Sequence, residues 1–241
     1  MSVYTRVERP ALEAFLNDFD AGALVEYSGI SAGIENTNYF VTTTNGRFVL
    51  TLFEQLGRDE LPFFLELMAH LAEHGVPTAH PLADRRGRYL GELCGKPAAL
   101  VQRLTGGSVE HPDAAQCAAI GAALAQMHLA GQSFPMERAN PRGPHWWREA
   151  VDRVHDRLSE DEARRLDEEI AFQFAHRHDE LPRGVIHADL FRDNALFEGE
   201  RLTGIIDLYY ACTDALLYDV AVTVNDWCAT EARELDPERT R

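Results

Sequence analysis

Positively charged residues are scarce in this 241-residue chain. It carries 23 lysines and arginines against 39 aspartates and glutamates, which gives a formal net charge of −16 at pH 7. A surface with this balance repels nucleic-acid backbones and anionic membranes. Neither nucleic acid nor a membrane is therefore an expected partner, and the composition leaves the oligomeric state open.

Paired cysteines, long apolar runs and a leader-like N-terminus are also missing. The four cysteines form no C-x-x-C motif, which argues against a disulfide framework and against a zinc knuckle. No stretch reaches the roughly 18 apolar residues of a membrane span, and the first residues show no basic-then-apolar signal. The 45% hydrophobic content suits a packed core. We therefore expect a globular, cytoplasmic protein.

Strand-like segments dominate the N-terminal part. Asn45-Gly46 lies between two runs of β-branched and aromatic residues, which predicts a tight hairpin. Helical spacing of apolar residues predicts a helix over residues 10–19 and another from Leu61 to Gly75. A second hairpin is expected over residues 88–104. These patterns predict an antiparallel sheet with a packed helix.

Helical patterns dominate the rest of the chain. The polar segment that begins at Thr105 interrupts the strand pattern, and helices are predicted over residues 112–130 and around 151–178. Strands followed by helices are typical of an α+β protein. We predict two lobes that meet at a cleft, an N-terminal lobe over residues 1–104 and a mainly helical lobe over residues 105–241.

The most specific motif is the segment HADLFRDN, which runs from His187 to Asn194. It fits the pattern H-x-D-x-x-x-x-N, in which the Asp accepts a proton from an attacking hydroxyl while the Asn and a later Asp hold Mg²⁺. A predicted hairpin would return the chain from Asn194 to Asp207. We therefore predict a phosphotransfer site with Asp189 as the catalytic base and with Asn194 and Asp207 as Mg²⁺ ligands. A polar surface loop is the alternative.

A loop between two predicted strands is the candidate nucleotide-binding loop. It contains Gly29, Ser31, Gly33, Asn36 and Asn38, and its small residues would let backbone N–H groups approach the phosphates of ATP. The segment matches neither Walker A nor G-x-G-x-x-G, so an ordinary hairpin turn is almost as good an interpretation.

The lysine that binds nucleotide phosphates in kinases is missing from the following strand. Where a V-A-I-K motif would place it, the sequence has Thr51. The phosphate charge would then be balanced by Mg²⁺, by backbone amides, or by a basic residue such as Arg47 or Arg58. An inactive pseudokinase is a second interpretation, but it does not explain why Asp189 and Asp207 are both present.

These motifs and their order resemble the aminoglycoside-phosphotransferase-like small-molecule kinases, which share the protein-kinase fold. The resemblance covers nearly the whole chain. Within that family the chain is most similar to the members that act on homoserine, where Thr at the position of Thr51 is usual. The segments that carry this closer similarity are residues 48–54, 61–64, 187–194, 204–212, 216–220 and 225–228.

The resemblance implies transfer of the γ-phosphate of ATP to the side-chain hydroxyl of homoserine, with Mg²⁺ as the metal. It also implies that the backbone of Gln102 and Leu104 binds adenine. Recognition of a zwitterionic acceptor needs an acidic and a basic group, and the polar candidates are Asp214, Asp226 and Arg192. The aromatic candidates for the pocket walls are Tyr209, Tyr210, Trp146, Trp147 and Trp227.

Two other functions stay open at this point. One is a kinase for choline, ethanolamine, methylthioribose or an aminoglycoside, because these enzymes share the catalytic loop. The other is a catalytically silent nucleotide-binding domain. Members of the family continue through several more helices after the position where this chain ends, so a truncated C-terminal lobe is expected.

Overall fold

The computed structural model describes residues 3–31, 33, 35–176, 180–230, 232 and 234–240. The strands are β1 (Leu24–Gly29), β2 (Thr37–Thr43), β3 (Arg47–Leu52), β4 (Gly91–Leu93), β5 (Lys96–Gln102), β6 (Arg183–Ile186), β7 (Ala195–Glu198), β8 (Arg201–Ile205) and β9 (Cys212–Ala215). The α-helices are α1 (Arg9–Leu16), α2 (Leu61–Glu73), α3 (Ala114–Gly131), α4 (Pro144–Val154), α5 (Glu160–Ala175) and α6 (Leu216–Trp227). Short 3₁₀ helices span His155–Arg157, Arg192–Asn194 and Leu208–Tyr210.

The N-terminal lobe is built on a five-stranded antiparallel sheet with the strand order β1-β2-β3-β5-β4. The predicted turn at Asn45-Gly46 joins β2 to β3 and is closed by a 2.9 Å hydrogen bond from Thr43 N–H to the Gly46 carbonyl. The predicted hairpin of β4 and β5 and both predicted helices are confirmed, with α1 ending three residues earlier than expected.

The two faces of this sheet contribute to different hydrophobic clusters. Alternate residues such as Tyr39 and Leu50 pack under α1. The opposite face presents Phe53 and Val101 to α2, and the same cluster continues into the C-terminal lobe through Leu208. A continuous apolar core therefore joins the two lobes beneath the cleft.

The C-terminal lobe combines helices with two short β-ribbons, β6 with β9 and β7 with β8. The ribbon of β7 and β8 is the hairpin predicted between Asn194 and Asp207, with Ala195 paired to Ile205. The α+β, protein-kinase-like architecture predicted from the sequence is thus confirmed. β5 ends at Gln102 and α3 begins at Ala114, and the boundary between residues 104 and 105 stays a prediction.

The helical segment predicted around residues 151–178 is divided in two. α4 already begins at Pro144 and ends at Val154, and Ser159 starts α5 by a capping box in which it exchanges hydrogen bonds with Glu162. Ser159 competes for the backbone hydrogen bonds of a continuous helix, which is why the chain restarts there. His178 lies outside the described residues. None of the described helices is both long and apolar enough to cross a membrane.

Candidate phosphotransfer site

The catalytic loop places Asp189 and Asn194 in direct contact. The Asn194 side-chain amide donates a 3.0 Å hydrogen bond to the Asp189 carboxylate and a 2.8 Å hydrogen bond to its backbone carbonyl. Asp189 and Asn194 are five positions apart, and the 3₁₀ turn Arg192–Asn194 folds the chain back so that their side chains meet. Because both hydrogen bonds use the amide nitrogen, the Asn194 side-chain oxygen is left for another ligand.

The β7–β8 hairpin brings Asp207 to the same site. Ile206 N–H donates a 2.9 Å hydrogen bond to the Asn194 carbonyl, so Asp207 follows immediately after the end of the ribbon. Asp207 adopts a left-handed backbone conformation, with φ of 62°, and starts the 3₁₀ helix Leu208–Tyr210. Asp and Asn tolerate this conformation better than most residues. The structure therefore brings Asp189, Asn194 and Asp207 together, as the motif predicts.

The two carboxylates disfavour each other's ionisation. Burial and the nearby Asp207 raise the pKa of Asp189 to about 6, against the opposing effect of the Asn194 hydrogen bond. Burial also raises the pKa of Asp207, and the Glu35 carboxylate adds to this shift. Two neighbouring acids whose pKa values are both raised are typical of a site that binds a cation.

The donor set fits Mg²⁺. Nowhere among the residues that the structure describes do three or more His, Cys, Asp or Glu side chains form a metal-binding group. Mg²⁺ usually takes only one or two protein carboxylates and fills its other positions with water and phosphate oxygens. The Asp207 carboxylate and the Asn194 amide oxygen match this preference, and a bound cation would relieve the repulsion between Asp189 and Asp207.

His187 supports the catalytic loop from below. Its Nδ1 atom lies 3.3 Å from Asp189 N–H and its Nε2 atom lies 3.0 Å from the Ile206 carbonyl. A backbone N–H can only donate and a carbonyl can only accept, so this geometry requires the neutral tautomer with the proton on Nε2. The fully buried imidazole is a brace between the loop and the end of β8.

Asp219 holds the same loop from α6. Its fully buried carboxylate accepts 2.8 Å hydrogen bonds from the backbone N–H groups of His187 and Ala188. It also lies 2.9 Å from His128 Nε2 on α3. Ala188 has a positive φ of 64°, a conformation that a non-glycine residue keeps only when its surroundings enforce it. Asp219 supplies that constraint from within the first turn of α6.

The candidate nucleotide loop connects β1 to β2. Gly29 ends β1, Ser31 is exposed, and Gly33 has a positive φ of 89° that favours glycine. The two asparagines point back into the protein. Asn36 is buried, with its side-chain oxygen 3.4 Å from the backbone nitrogen of Glu54, and Asn38 accepts a 2.7 Å hydrogen bond from the Thr51 hydroxyl.

Thr51 occupies the position expected for a phosphate-binding lysine. Its hydroxyl is engaged by Asn38 and by the hydroxyl of Tyr209, which follows Asp207. Lys96, the only lysine of the chain, forms a 2.8 Å ion pair with Glu54 instead. Glu54 also accepts a hydrogen bond from Thr37, whose partner on β3, Leu52, belongs to the cluster under α1. The lysine is therefore on the side of the sheet away from the catalytic loop.

Neither arginine proposed as a substitute lies where the phosphate-binding lysine is expected. Arg58 pairs with Glu92 at 2.6 Å on the exposed surface of the N-terminal lobe, and Arg47 is exposed at the start of β3. With both arginines on the exposed surface, Mg²⁺ and the backbone amides of the loop stay the expected sources of charge for the phosphates.

The segment after β5 connects the two lobes. The backbone N–H of Gln102 already donates to the His80 carbonyl at 2.9 Å. The Leu104 N–H, in contrast, has no hydrogen-bond partner within the described ranges, and the Leu104 side chain packs against Gly204 of β8. Leu104 thus presents an unused backbone donor at the lobe junction.

A hydrogen bond across the cleft was not foreseen from the sequence. Tyr210, at the end of the 3₁₀ helix after Asp207, donates its hydroxyl to the Glu35 carboxylate of the nucleotide loop. Isolated tyrosines and glutamates are common at protein surfaces, so no local pattern marks this pair. The contact joins the candidate nucleotide loop to the segment that follows Asp207.

Four of the five aromatic residues proposed as pocket walls separate into two groups. Trp227 is fully buried and donates its indole N–H to the Leu190 carbonyl, while Tyr209 packs between Phe53 and Phe64. These two belong to the core, so their assignment to a pocket is wrong. Tyr210 and Trp146 both lie beside the Arg142 guanidinium at the cleft.

A two-lobed kinase-like fold with an Asp, an Asn and a second Asp around one position defines a phosphotransferase. The sequence profile of the phosphotransferase enzyme family matches residues 26–241, and this chain belongs to that family. Among curated relatives, the homoserine kinase of Methylobacillus flagellatus is 52% identical over all of this chain and 76% of its own length. The homoserine kinase of Neisseria meningitidis serogroup B is 49% identical over 98% of the chain and 77% of its own length.

Solved structures show the same fold at low sequence identity. Amicoumacin kinase, determined with AMP-PNP and Ca²⁺, aligns with a TM-score of 0.72 at 15% identity over 91% of this chain and 69% of its own. Spectinomycin phosphotransferase, determined with ADP and spectinomycin, aligns with a TM-score of 0.70 at 15% identity over 90% and 73%. This likeness confirms the protein-kinase-like architecture.

Proposed function

We propose that this protein transfers the γ-phosphate of ATP to the side-chain hydroxyl of L-homoserine in the cytoplasm, producing O-phosphohomoserine and ADP for threonine biosynthesis. The identity to curated homoserine kinases supports the acceptor, and the catalytic loop supports the reaction. The observation that carries the proposal is the constellation of Asp189, Asn194 and Asp207, in which Asn194 contacts both the loop and the ribbon.

Asp189 is the proposed base. Its carboxylate orients the homoserine hydroxyl and accepts its proton as the oxygen attacks the γ-phosphorus, while the bond from that phosphorus to the β–γ bridging oxygen breaks and ADP leaves. A pKa of about 6 keeps Asp189 mostly ionised at neutral pH and still basic enough to take a proton. Most of the catalysis in such a reaction comes from positioning and from charge neutralisation.

Asn194 and Asp207 are the proposed Mg²⁺ ligands. Mg²⁺ bound there would neutralise the phosphate charge of ATP. The hydrogen bond from Asn194 to Asp189 then links the base to the metal site, so that hydroxyl and phosphate are aligned by the same loop. With no lysine on this side of the sheet, the metal and backbone amides carry the phosphate recognition.

The nucleotide is proposed to lie between the sheet and the catalytic loop. Gly29, Ser31 and Gly33 would approach the phosphates through their backbone amides. Asn36 and Asn38 would act by shaping this loop, because their side-chain oxygens accept hydrogen bonds from Glu54 and Thr51. Gln102 and Leu104 would border adenine, with the unused Leu104 N–H as the donor.

ATP consumption with Mg²⁺ tests the proposal. Homoserine, choline, methylthioribose and kanamycin are offered in parallel, and the phosphorylated product is identified by mass spectrometry. We expect turnover with homoserine and little with the others. Turnover with only a non-amino-acid alcohol would exclude the homoserine assignment, and absence of turnover with every acceptor would favour a silent nucleotide-binding domain.

A further inference from the structure

An amino-acid acceptor brings a carboxylate into a site that is already negative. The charge of Asp207 adds to the burial that raises the pKa of Asp189, the charge of Glu35 does the same at Asp207, and Glu35 is held at the site by the Tyr210 hydroxyl. The α-carboxylate of homoserine would be repelled unless a cation faces it. Recognition of the proposed acceptor therefore requires a basic side chain near Asp189.

The basic and acidic residues first considered for this role are engaged elsewhere. Arg192 donates to Asp226 through its backbone N–H at 2.7 Å and through its guanidinium at 3.1 Å. Asp214 is held by Arg183 at 2.9 Å and by Asn140 at 2.9 Å. These pairs brace the lobe, and using them for the substrate would leave a partner unpaired.

Arg142 differs from these residues because its guanidinium has no anionic partner. It lies 4.7 Å from the ring centre of Trp146 and 5.8 Å from that of Tyr210, and no carboxylate in the described part of the chain pairs with it. Flanking aromatic rings restrict an arginine without using its hydrogen-bond donors. The planar fork of Arg142 is therefore oriented but unoccupied.

The backbone around Arg142 is fixed by β9. Thr213 N–H donates a 2.7 Å hydrogen bond to the Arg138 carbonyl, so the loop after Arg138 runs beside this strand. Asn140 then turns the chain, since its side chain donates to Asp214 at 2.9 Å and accepts from Arg142 N–H at 2.8 Å. Arg142 is thus held by the strand that follows the 3₁₀ helix of Tyr210.

Tyr210 relates Arg142 to the catalytic base. The charges of both Arg142 and Asp189 act on the Tyr210 hydroxyl, in opposite directions. With the Arg142 guanidinium 5.8 Å from the Tyr210 ring centre, an acceptor whose hydroxyl reaches Asp189 would extend along Tyr210 toward Arg142. The neighbouring Arg138 is a poorer candidate because its charge is already paired with Glu60 through Nη2 at 3.1 Å and packed on Phe64, although its buried Nη1 has no hydrogen-bond partner among the described residues.

We propose that Arg142 binds the α-carboxylate of the acceptor and so selects an amino acid over a simple amino alcohol. This inference rests on the proposed homoserine kinase activity. An arginine suits the task because its paired N–H groups match the two carboxylate oxygens. Arg142 would act in binding and specificity and would take no part in phosphoryl transfer.

Steady-state kinetics with two acceptors test the role of Arg142. The variant Arg142→Met is compared with wild type on L-homoserine and on 3-aminopropan-1-ol, which lacks only the carboxylate. The variant loses a charge-assisted hydrogen bond to the carboxylate, so KM for homoserine should rise about 10-fold or more. The kcat/KM for 3-aminopropan-1-ol should stay within about 2-fold, since that acceptor makes no use of the guanidinium.

Calorimetric binding of homoserine to the AMP-PNP-bound protein supplies a second readout that is independent of turnover. The dissociation constant should rise with KM in Arg142→Met and recover partly in Arg142→Lys. Arg148→Met is the matched control, because Arg148 lies on the adjoining helix α4 and stacks 4.7 Å from the Phe174 ring. It should leave both acceptors unaffected.

The outcomes separate the two proposals. If wild type phosphorylates homoserine and Arg142→Met keeps its KM, the role of Arg142 is refuted while the homoserine kinase function stands. An equal loss on both acceptors would also refute it, since that result would indicate a general structural role. If wild type does not phosphorylate homoserine, both proposals fail.

Discussion

The Tyr210 hydroxyl donates a hydrogen bond to the Glu35 carboxylate, which joins the catalytic lobe to the nucleotide loop over 175 positions of sequence. The hydrogen bond to Glu35, together with burial, raises the pKa of Tyr210 to about 12, so the phenol remains a donor at neutral pH. Glu35 also raises the pKa of Asp207. The contact therefore holds a negative charge close to the position proposed for Mg²⁺ and the phosphates.

Breaking this contact should strengthen nucleotide binding. In Tyr210→Phe the nucleotide loop is no longer tied to Tyr210, so it can move Glu35 away from Asp207. The lost hydrogen bond contributes about 1 kcal/mol against this movement in the wild type. We expect the dissociation constant of MgATP to fall roughly 3- to 10-fold, measured by titration calorimetry. Tyr27→Phe removes a tyrosine hydroxyl that contacts Val7 on the opposite side of the sheet and serves as the control. Weaker MgATP binding in Tyr210→Phe would mean that the contact organises the loop for the nucleotide.

The activity should fall in mild acid. Burial and the negative charge of Asp207 raise the pKa of Asp189 to about 6, and protonation removes the base. The kcat/KM for homoserine should therefore decline as pH decreases below about 6, with the midpoint moving lower as Mg²⁺ stabilises the carboxylate. The Asp189→Asn variant should lose about 10²- to 10⁴-fold in kcat. A flat profile from pH 5 to pH 8 would exclude Asp189 as the base.

The same substitution should stabilise the metal-free protein at neutral pH. Because the pKa of Asp189 is raised on folding, the folded state binds the proton more tightly, and stability decreases as pH rises from about 4 through 6. Asp189→Asn has no carboxylate to ionise, so it keeps the free energy of unfolding that wild type loses above pH 6. Its Tm at pH 7.5 should exceed that of wild type by roughly 2–4 °C for each kcal/mol of this difference. The difference should vanish at pH 4 and shrink with Mg²⁺, and a lower Tm at pH 7.5 would contradict this account.

Removing the Asp219 carboxylate should destabilise the protein strongly. Asp219→Ala leaves the N–H groups of His187 and Ala188 without an acceptor in a buried position. The expected loss is about 3 kcal/mol or more in the free energy of unfolding, measured with urea. Asp226→Ala is the comparison, because its ion pair with Arg192 is partly exposed, and it should cost about 1 kcal/mol or less. Equal losses in the two variants would argue against this role of Asp219.

The only lysine should matter for stability and little for ATP. Lys96→Met breaks the 2.8 Å ion pair with the half-buried Glu54. Burial raises the pKa of Glu54. The hydrogen bonds from Lys96, Thr37 and Thr5 lower it by more, so the pKa lies below its usual value. The pair therefore stabilises the fold above the usual pKa of a glutamate and loses that effect in acid. We expect a lower Tm at pH 7 and a KM for ATP within about 2-fold; a large rise in that KM would place Lys96 at the phosphates.

Local patterns predicted the elements that depend on neighbouring residues. The turn at Asn45-Gly46, the helix α2 and the β7–β8 hairpin follow from turn chemistry and apolar spacing, which act over a few residues. The break between α4 and α5 was missed, although the capping box of Ser159 and Glu162 was visible in the sequence. Composition favours a helix throughout that segment, and the cap is the local signal that ends this preference.

The acceptor side could not be predicted in the same way. Arg192 and Asp226 were reasonable candidates by charge, but each is the other's partner in the folded chain. Arg142 carries no sequence signal, and its candidacy depends on Trp146 nearby and on Tyr210, which is remote in sequence. Whether a charge is free or paired is a property of long-range contacts.

The sequence by itself determined the chemistry, because Asp189 and Asn194 lie on one short loop and a single hairpin returns the chain to Asp207. Only the tertiary structure decided which charges face the cleft. Lys96 is turned to the far side of the sheet, Asp219 is buried under the catalytic loop, and Arg142 is left unpaired beside Tyr210. The reason is physical: the catalytic motif is built from local backbone geometry, whereas ion pairing and burial depend on residues that meet only after the two lobes have packed.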